Sequence, residues 1–120
     1  MILRIVTSIF ESANYRVVCA DNGREGITIF AQAMSVIQAV TTDINMPSMD
    51  GVALIRAIAR MKPHLTFLAV TGEEESARIS ELESLGVKNF LMKPFNVDNL
   101  LKRLRDALEG RPSDLVALYD

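Results

Sequence analysis

The sequence predicts an α/β fold in which a parallel sheet is covered by helices on both faces. Three observations carry that prediction. The hydrophobic period switches repeatedly between helical and extended, in the order α-β-α-β-α-β-α-β-α followed by a short apolar tail. The 120 residues are 49% hydrophobic and 23% charged, an ordinary globular balance with room for one domain. No internal repeat, low-complexity stretch or interior domain boundary interrupts the chain, so residues 1–120 read as a single unit.

Each element follows from its local pattern. Ile2, Ile5, Val6, Ile9, Phe10 and Ala13 recur at helical spacing, so the chain opens in a helix. Tyr15 to Ala20 is short and valine-rich and stops at Asp21-Asn22-Gly23, a strand and its turn. Glu25 to Met34 reads as the second helix. Val36 to Thr42 is β-branched and bounded by Asp43, which predicts a strand. The loop Asn45–Gly51 leads into a helix over Val52 to Met61, with Val52, Ile55, Ile58 and Ala59 on one face. Beyond Lys62-Pro63, Leu65 to Val70 is a strand. Glu73 to Leu85 is an acidic helix closed by Gly86, and Val87 to Met92 is the next strand. Asn96 is placed to cap a helix whose stripe is Val97, Leu100, Leu101, Leu104 and Leu108, and Gly110-Arg111-Pro112 stops it. The apolar run Leu115 to Tyr119 closes the chain.

Composition narrows the function. Lys and Arg number 13 against 15 Asp and Glu, a net charge of −2 that argues against nucleic-acid binding by this domain. No apolar stretch approaches a membrane span, and the start lacks the pattern of a secretory signal. The single cysteine, Cys19, has no internal partner, which suits a reducing, cytoplasmic setting.

In sheets of this kind ligands bind outside the carboxyl ends of the strands. Three consecutive strands end in Asp43, Thr71 and Lys93. A carboxylate, a hydroxyl and an ammonium on one rim make a phosphoryl-transfer site. The carboxylate can attack phosphorus to give an acyl phosphate. The hydroxyl can donate to one phosphoryl oxygen, and the ammonium can neutralise another.

These residues sit in segments that resemble a known family. Asp43-Ile44-Asn45-Met46-Pro47-Ser48-Met49-Asp50-Gly51, Val70-Thr71-Gly72 and Phe90-Leu91-Met92-Lys93-Pro94-Phe95 are together similar to the phosphoacceptor, switch-threonine and lysine segments of bacterial response-regulator receiver domains. The likeness spans residues 1–109 and is nearest the chemotaxis regulator. It implies a flavodoxin-like doubly wound sheet of strand order 2-1-3-4-5. It also implies that Asp43 is phosphorylated by a sensor histidine kinase or phosphotransfer protein. Thr71 and Phe90 would then form the switch, and Lys93 would pair with the phosphoryl group ahead of a cis Lys93–Pro94 bond. Asn45, Thr71, Gly72 and Lys93 would surround the phosphate. Mg²⁺ would be held by Asp43 and the Asn45 carbonyl, and Asn45 with Glu73 would tune dephosphorylation. Output would leave by the face of the last two helices, which carries Lys102, Arg103 and Arg105. A homodimer is compatible with such a domain.

Family members begin with a strand ending in two acidic Mg²⁺ ligands, and none precedes the first helix of this sequence. Two readings follow: a phosphoacceptor, or a pseudo-receiver that acts as a protein-interaction module without phosphorylation. A third reading, a phosphatase with an Asp nucleophile, lacks the second Asp that Asn45 replaces, so no turnover enzyme is expected. The missing strand is the central one, and leaving its slot empty would strand two rows of buried backbone groups. The tail is therefore expected to fill it. Leu115–Tyr119 would be the central parallel strand after the linker within residues 110–120, and Asp120 would restore one metal carboxylate. The result resembles a circular permutant, or a swapped dimer if another copy donates the tail. The competing expectation is a frayed or helical extension from Ser113.

Other residues read as structural. Cys19 is a packed thiol, His64 a loop residue, and Met46 and Met49 packing groups. Glu73-Glu74-Glu75 suits a helix N-terminus, and Asp50-Gly51 a turn and helix start.

Overall fold

A computed structural model describes residues 2–20, 22–45, 50–72, 77–109 and 114–118, with the side chains of 2–5 and 118 outside that description. Among the described residues ten elements alternate: α1 Ile2–Ser12, β1 Arg16–Cys19, α2 Gly23–Gln32, β2 Ile37–Asp43, α3 Gly51–Met61, β3 Thr66–Thr71, α4 Ile79–Ser84, β4 Asn89–Met92, α5 Val97–Ala107 and β5 Asp114–Leu118. The five strands form one parallel sheet in the order β1-β5-β2-β3-β4.

Two apolar layers explain the arrangement. On one face Val6 and Phe10 of α1 and Leu100 and Leu104 of α5 pack against Ala39, Leu68, Val70, Leu91, Leu115 and Ala117 of the strands. On the other, Phe30 of α2, Leu54, Ile55 and Ile58 of α3 and Leu82 of α4 pack against Ile37, Val40, Phe67, Ala69 and Val116. Neighbours such as Phe67 and Leu68, or Leu115 and Val116, fall in opposite layers, as the two-residue strand period requires. Strands covered on both faces read as unbroken apolar runs, which is why they are Val-, Leu- and Ala-rich.

The strand β5 lies inside the sheet, between β1 and β2. Val116 pairs with Val18 of β1 and Val40 of β2, and Ala117 with Cys19 and Thr41. Leu115, Val116 and Ala117 are each fully buried. Leu118 lies opposite Thr42, so this strand runs out beside the end of β2.

Several boundaries differ from the sequence expectation. Asn22 does not close a turn; its side chain accepts the Glu25 N–H at 2.9 Å and caps α2, which therefore begins at Gly23 and ends at Gln32. Asp43 is part of β2 rather than its boundary. α4 covers only Ile79–Ser84 among the described residues, against the expected start at Glu73, and positions 73–76 lie outside the description. Gly86, at φ +99°, follows α4 in the left-handed region that glycine tolerates best. β4 is trimmed to Asn89–Met92.

Candidate functional site

The carboxyl ends of β2, β3 and β4 form one rim. Asp43 is only 6% exposed as the last residue of β2, and Thr71, last in β3, is 1% exposed. Lys93 follows β4, and its backbone N–H donates to the Thr71 carbonyl at 2.8 Å, which carries the ladder one step past the strand. The Lys93–Pro94 bond is cis.

This backbone arrangement brings Lys93 Nζ to 2.5 Å from Asp43 Oδ2. The other carboxylate oxygen, Oδ1, accepts the Asn45 N–H at 3.0 Å. Asp43 is thus a nearly buried carboxyl group with both oxygens engaged by donors, one of them cationic, as a buried polar group requires. Thr71 stands on the adjacent strand, and its hydroxyl donates to Met92 Sδ at 3.9 Å. A thioether is a weak acceptor, so turning that hydroxyl toward a stronger one costs little.

Behind the rim, α3 is held close to the chain that follows Asp43. The Gly51 N–H donates to the Ile44 carbonyl at 3.0 Å. A Cβ at position 51 would lie 2.6 Å from Ile44 Cα and 2.9 Å from the Asp43 carbonyl oxygen, so only glycine fits. Asp50 caps α3 by accepting the Val52 N–H at 2.9 Å. It also meets Arg78 at the start of α4, with Arg78 Nη1 2.7 Å from Oδ1 and Nη2 2.6 Å from Oδ2. The guanidinium beside Asp50 holds its carboxyl below the usual carboxylate range, and the same contact raises Arg78.

Of the residues expected at the site, Asp43, Lys93 and the Asn45 backbone are brought into contact, and Thr71 borders them. Gly72 follows the end of β3 and is half-buried. Phe90 lies in β4, paired with Ala69 and packed on the α2–α4 layer. Asp120 and Glu73 lie outside the described residues. Arg103, on the face expected to carry output, donates to the Phe90 carbonyl. Sequence reasoning missed the Asp50–Arg78 pair, because nothing local links positions 28 residues apart. Locally Asp50-Gly51 reads as a turn and helix start, and the close backbone approach at Gly51 carries no signal in the neighbouring residues. Cys19 is half-buried, with Sγ 2.6 Å from Thr7 Oγ1.

Among the described residues no group of three or more His, Cys, Asp or Glu side chains could hold a metal ion. Mg²⁺ asks for near-octahedral oxygens and usually for carboxylate charge. Among the described residues Asp43 is the one carboxylate in contact with Lys93 and Asn45, and both its oxygens are taken. The described residues therefore do not by themselves fit a Mg²⁺ site.

Comparison with known proteins agrees with the geometry. Residues 1–105 match the family described as response regulator receiver domain. The chain is 30% identical over 101 residues to chemotaxis protein CheY of Thermotoga maritima, covering 83% of this chain and 82% of that protein. It is 31% identical over 99 residues to sensor kinase CckA of Brucella abortus, covering 82% of this chain and 10% of the kinase. It spans a similarly small part of two transcriptional regulators it also matches, 24% and 16% of their lengths. A response regulator receiver domain protein from Clostridium thermocellum superposes with a TM-score of 0.84 at 26% identity, covering 90% of this chain and 86% of that one.

Proposed function

The chain belongs to the response regulator receiver domain family, and from that premise we propose that it is a phosphoacceptor switched by phosphorylation of Asp43. The observation that carries the reading is the 2.5 Å contact between Lys93 Nζ and a nearly buried Asp43 carboxylate at the convergent ends of parallel strands. In the proposed step an Asp43 oxygen attacks the phosphorus of a phosphohistidine on a sensor histidine kinase or phosphotransfer protein. A P–O bond forms, the P–N bond breaks, and the departing imidazole keeps the electron pair. Lys93 neutralises a phosphoryl oxygen, and the Asn45 N–H remains to hold the carboxyl. The Thr71 hydroxyl leaves its weak Met92 acceptor for the phosphoryl group, and Phe90 on the next strand follows. The domain is a phosphoacceptor rather than a turnover enzyme. Its setting is cytoplasmic, and output passes through the α4–β4–α5 face to a partner protein or domain.

Receiver domains generally use Mg²⁺ for phosphoryl transfer. In this chain the proposal assigns Asp43 and the Asn45 carbonyl to the ion, with Asp120 as the second carboxylate. The last described residue of β5, Leu118, lies opposite Thr42, next to Asp43. The sheet order β1-β5-β2-β3-β4 corresponds to the receiver order 2-1-3-4-5 if β5 takes the place of the first strand, which is the arrangement of a circular permutant.

Incubating the full chain with acetyl phosphate and Mg²⁺, then measuring intact mass, tests the reading. One phosphoryl adduct is expected in wild type and none in Asp43→Asn, with Lys93→Ala slowed about tenfold or more. A second reading is a pseudo-receiver that binds partners without phosphorylation; it is favoured by the lack, among the described residues, of a group of three or more His, Cys, Asp or Glu side chains able to hold a metal ion. It predicts no adduct and no Mg²⁺ titration of the rim amides. Asp120→Asn separates the metal assignment from the rest: weaker Mg²⁺ binding with an unchanged thermal transition supports it.

A further inference from the structure

α4 is short, six residues, and buries one side chain, Leu82. The residue in its N-cap position is Arg78, whose side chain makes no capping bond. Arg78 instead spans the gap to α3 with a two-pronged contact to Asp50, at 2.6 and 2.7 Å, and reaches Glu81 at 3.2 Å. The start of α3 cannot shift freely relative to Asp43. Gly51 donates to the Ile44 carbonyl, and its Cα sits too close to the Asp43 and Ile44 backbone to admit a Cβ. A continuous line of contacts therefore runs from the Asp43 backbone through Gly51 and Asp50 to Arg78 and α4.

We infer that Arg78 is a positioning residue, a latch that ties the entrance of α4 to the segment following Asp43. Its signalling consequence rests on the phosphoacceptor reading; its mechanical part does not. Bidentate guanidinium–carboxylate geometry fixes direction as well as distance, so the pair favours one placement of α4 against α3. Both side chains remain partly exposed, which keeps the lever small. A small lever suits the task. A few-fold bias moves a two-state element near balance without locking it. Placed between the loops after β2 and β3, the latch resists any displacement of the α4 entrance that events at Asp43 impose.

Amide hydrogen exchange on the full chain, read by NMR, tests the inference in Asp50→Asn, Arg78→Gln and Arg78→Lys. Asn caps a helix as well as Asp, so Asp50→Asn removes the ion pair and spares the cap. Exchange over Ile79–Ser84 is expected to quicken roughly two- to fivefold in Asp50→Asn and Arg78→Gln, with α3 and α5 unchanged. Arg78→Lys keeps the charge without the fork and should fall between these and wild type. Unchanged α4 exchange in both Asp50→Asn and Arg78→Gln overturns the latch. Equal quickening in α3, α4 and α5 also overturns it, because the pair would then stabilise the domain as a whole. Acetyl phosphate treatment of the same samples keeps the two claims apart. A wild type that takes no phosphoryl group defeats the phosphoacceptor reading, while the exchange rates still decide the latch.

Discussion

The two helices that flank β4 are anchored by different means. α5 has eleven residues, a side-chain cap from Asn96 to the Asn99 N–H at 2.8 Å, and Leu100 and Leu104 fully buried, with Leu108 1% exposed just past its end. α4 has six residues, no side-chain cap, one buried leucine and an ion pair to α3. Apolar burial is strong and indifferent to direction, whereas a partly exposed ion pair is weak and directional. The difference teaches where this fold can move at low cost: the α4 side, next to the segment that follows Thr71, gives way before the α5 side does.

The comparison breaks most visibly in the leucines. Leu104→Ala should lower global stability by about 3–4 kcal/mol in denaturant unfolding, since it opens a cavity between α5 and the sheet. Leu82→Ala should cost about 2 kcal/mol at most, because a six-residue helix can open locally before the whole domain does. Equal losses would mean that α4 and α5 unfold as one unit.

Gly51→Ala comes next. Its Cβ would press on backbone rather than on a flexible side chain, so about 1–3 kcal/mol should be lost and the Ile44 and Asn45 amide resonances should shift. A variant with wild-type stability and unshifted resonances would show that α3 is free to slide away from Asp43. Asn96→Ala, which removes the cap that α5 has and α4 lacks, should cost about 1 kcal/mol by thermal unfolding. Most of that loss should appear as faster exchange in the first turn of α5.

The smallest effect is the pH dependence of the Asp50–Arg78 pair. The folded carboxyl titrates below its ordinary value of 3.8, because the Arg78 hydrogen bond favours the charged form. The contribution to stability is therefore fully present above pH 3.8 and fades as pH falls through the lowered folded value. In an NMR titration of the side-chain carboxyl carbon, Arg78→Gln should move the Asp50 midpoint upward. An unmoved midpoint would remove Arg78 as the cause.

Residues 1–105 carry enough local pattern to declare the family and the α/β class. Period switching marked the first nine elements of the final order, because one-sided or two-sided burial imposes its spacing on neighbouring residues. Asp43, Thr71 and Lys93 were legible for a related reason: each stands where a recognisable apolar run stops, and strand ends in such sheets share a rim. Asn96 announced its helix through capping chemistry confined to four residues. What the tertiary structure alone decided lies between distant segments. Nothing near Arg78 names Asp50, nothing near Gly51 tells that backbone rather than solvent lies against its Cα, and nothing near Arg103 names the Phe90 carbonyl. The apolar run at Leu115–Leu118 is readable as a strand, but its neighbours β1 and β2 are set by which buried backbone rows lack a partner once all the other elements have packed. Local chemistry writes itself into short stretches of chain; contacts closed by folding depend on the summed geometry of everything between them.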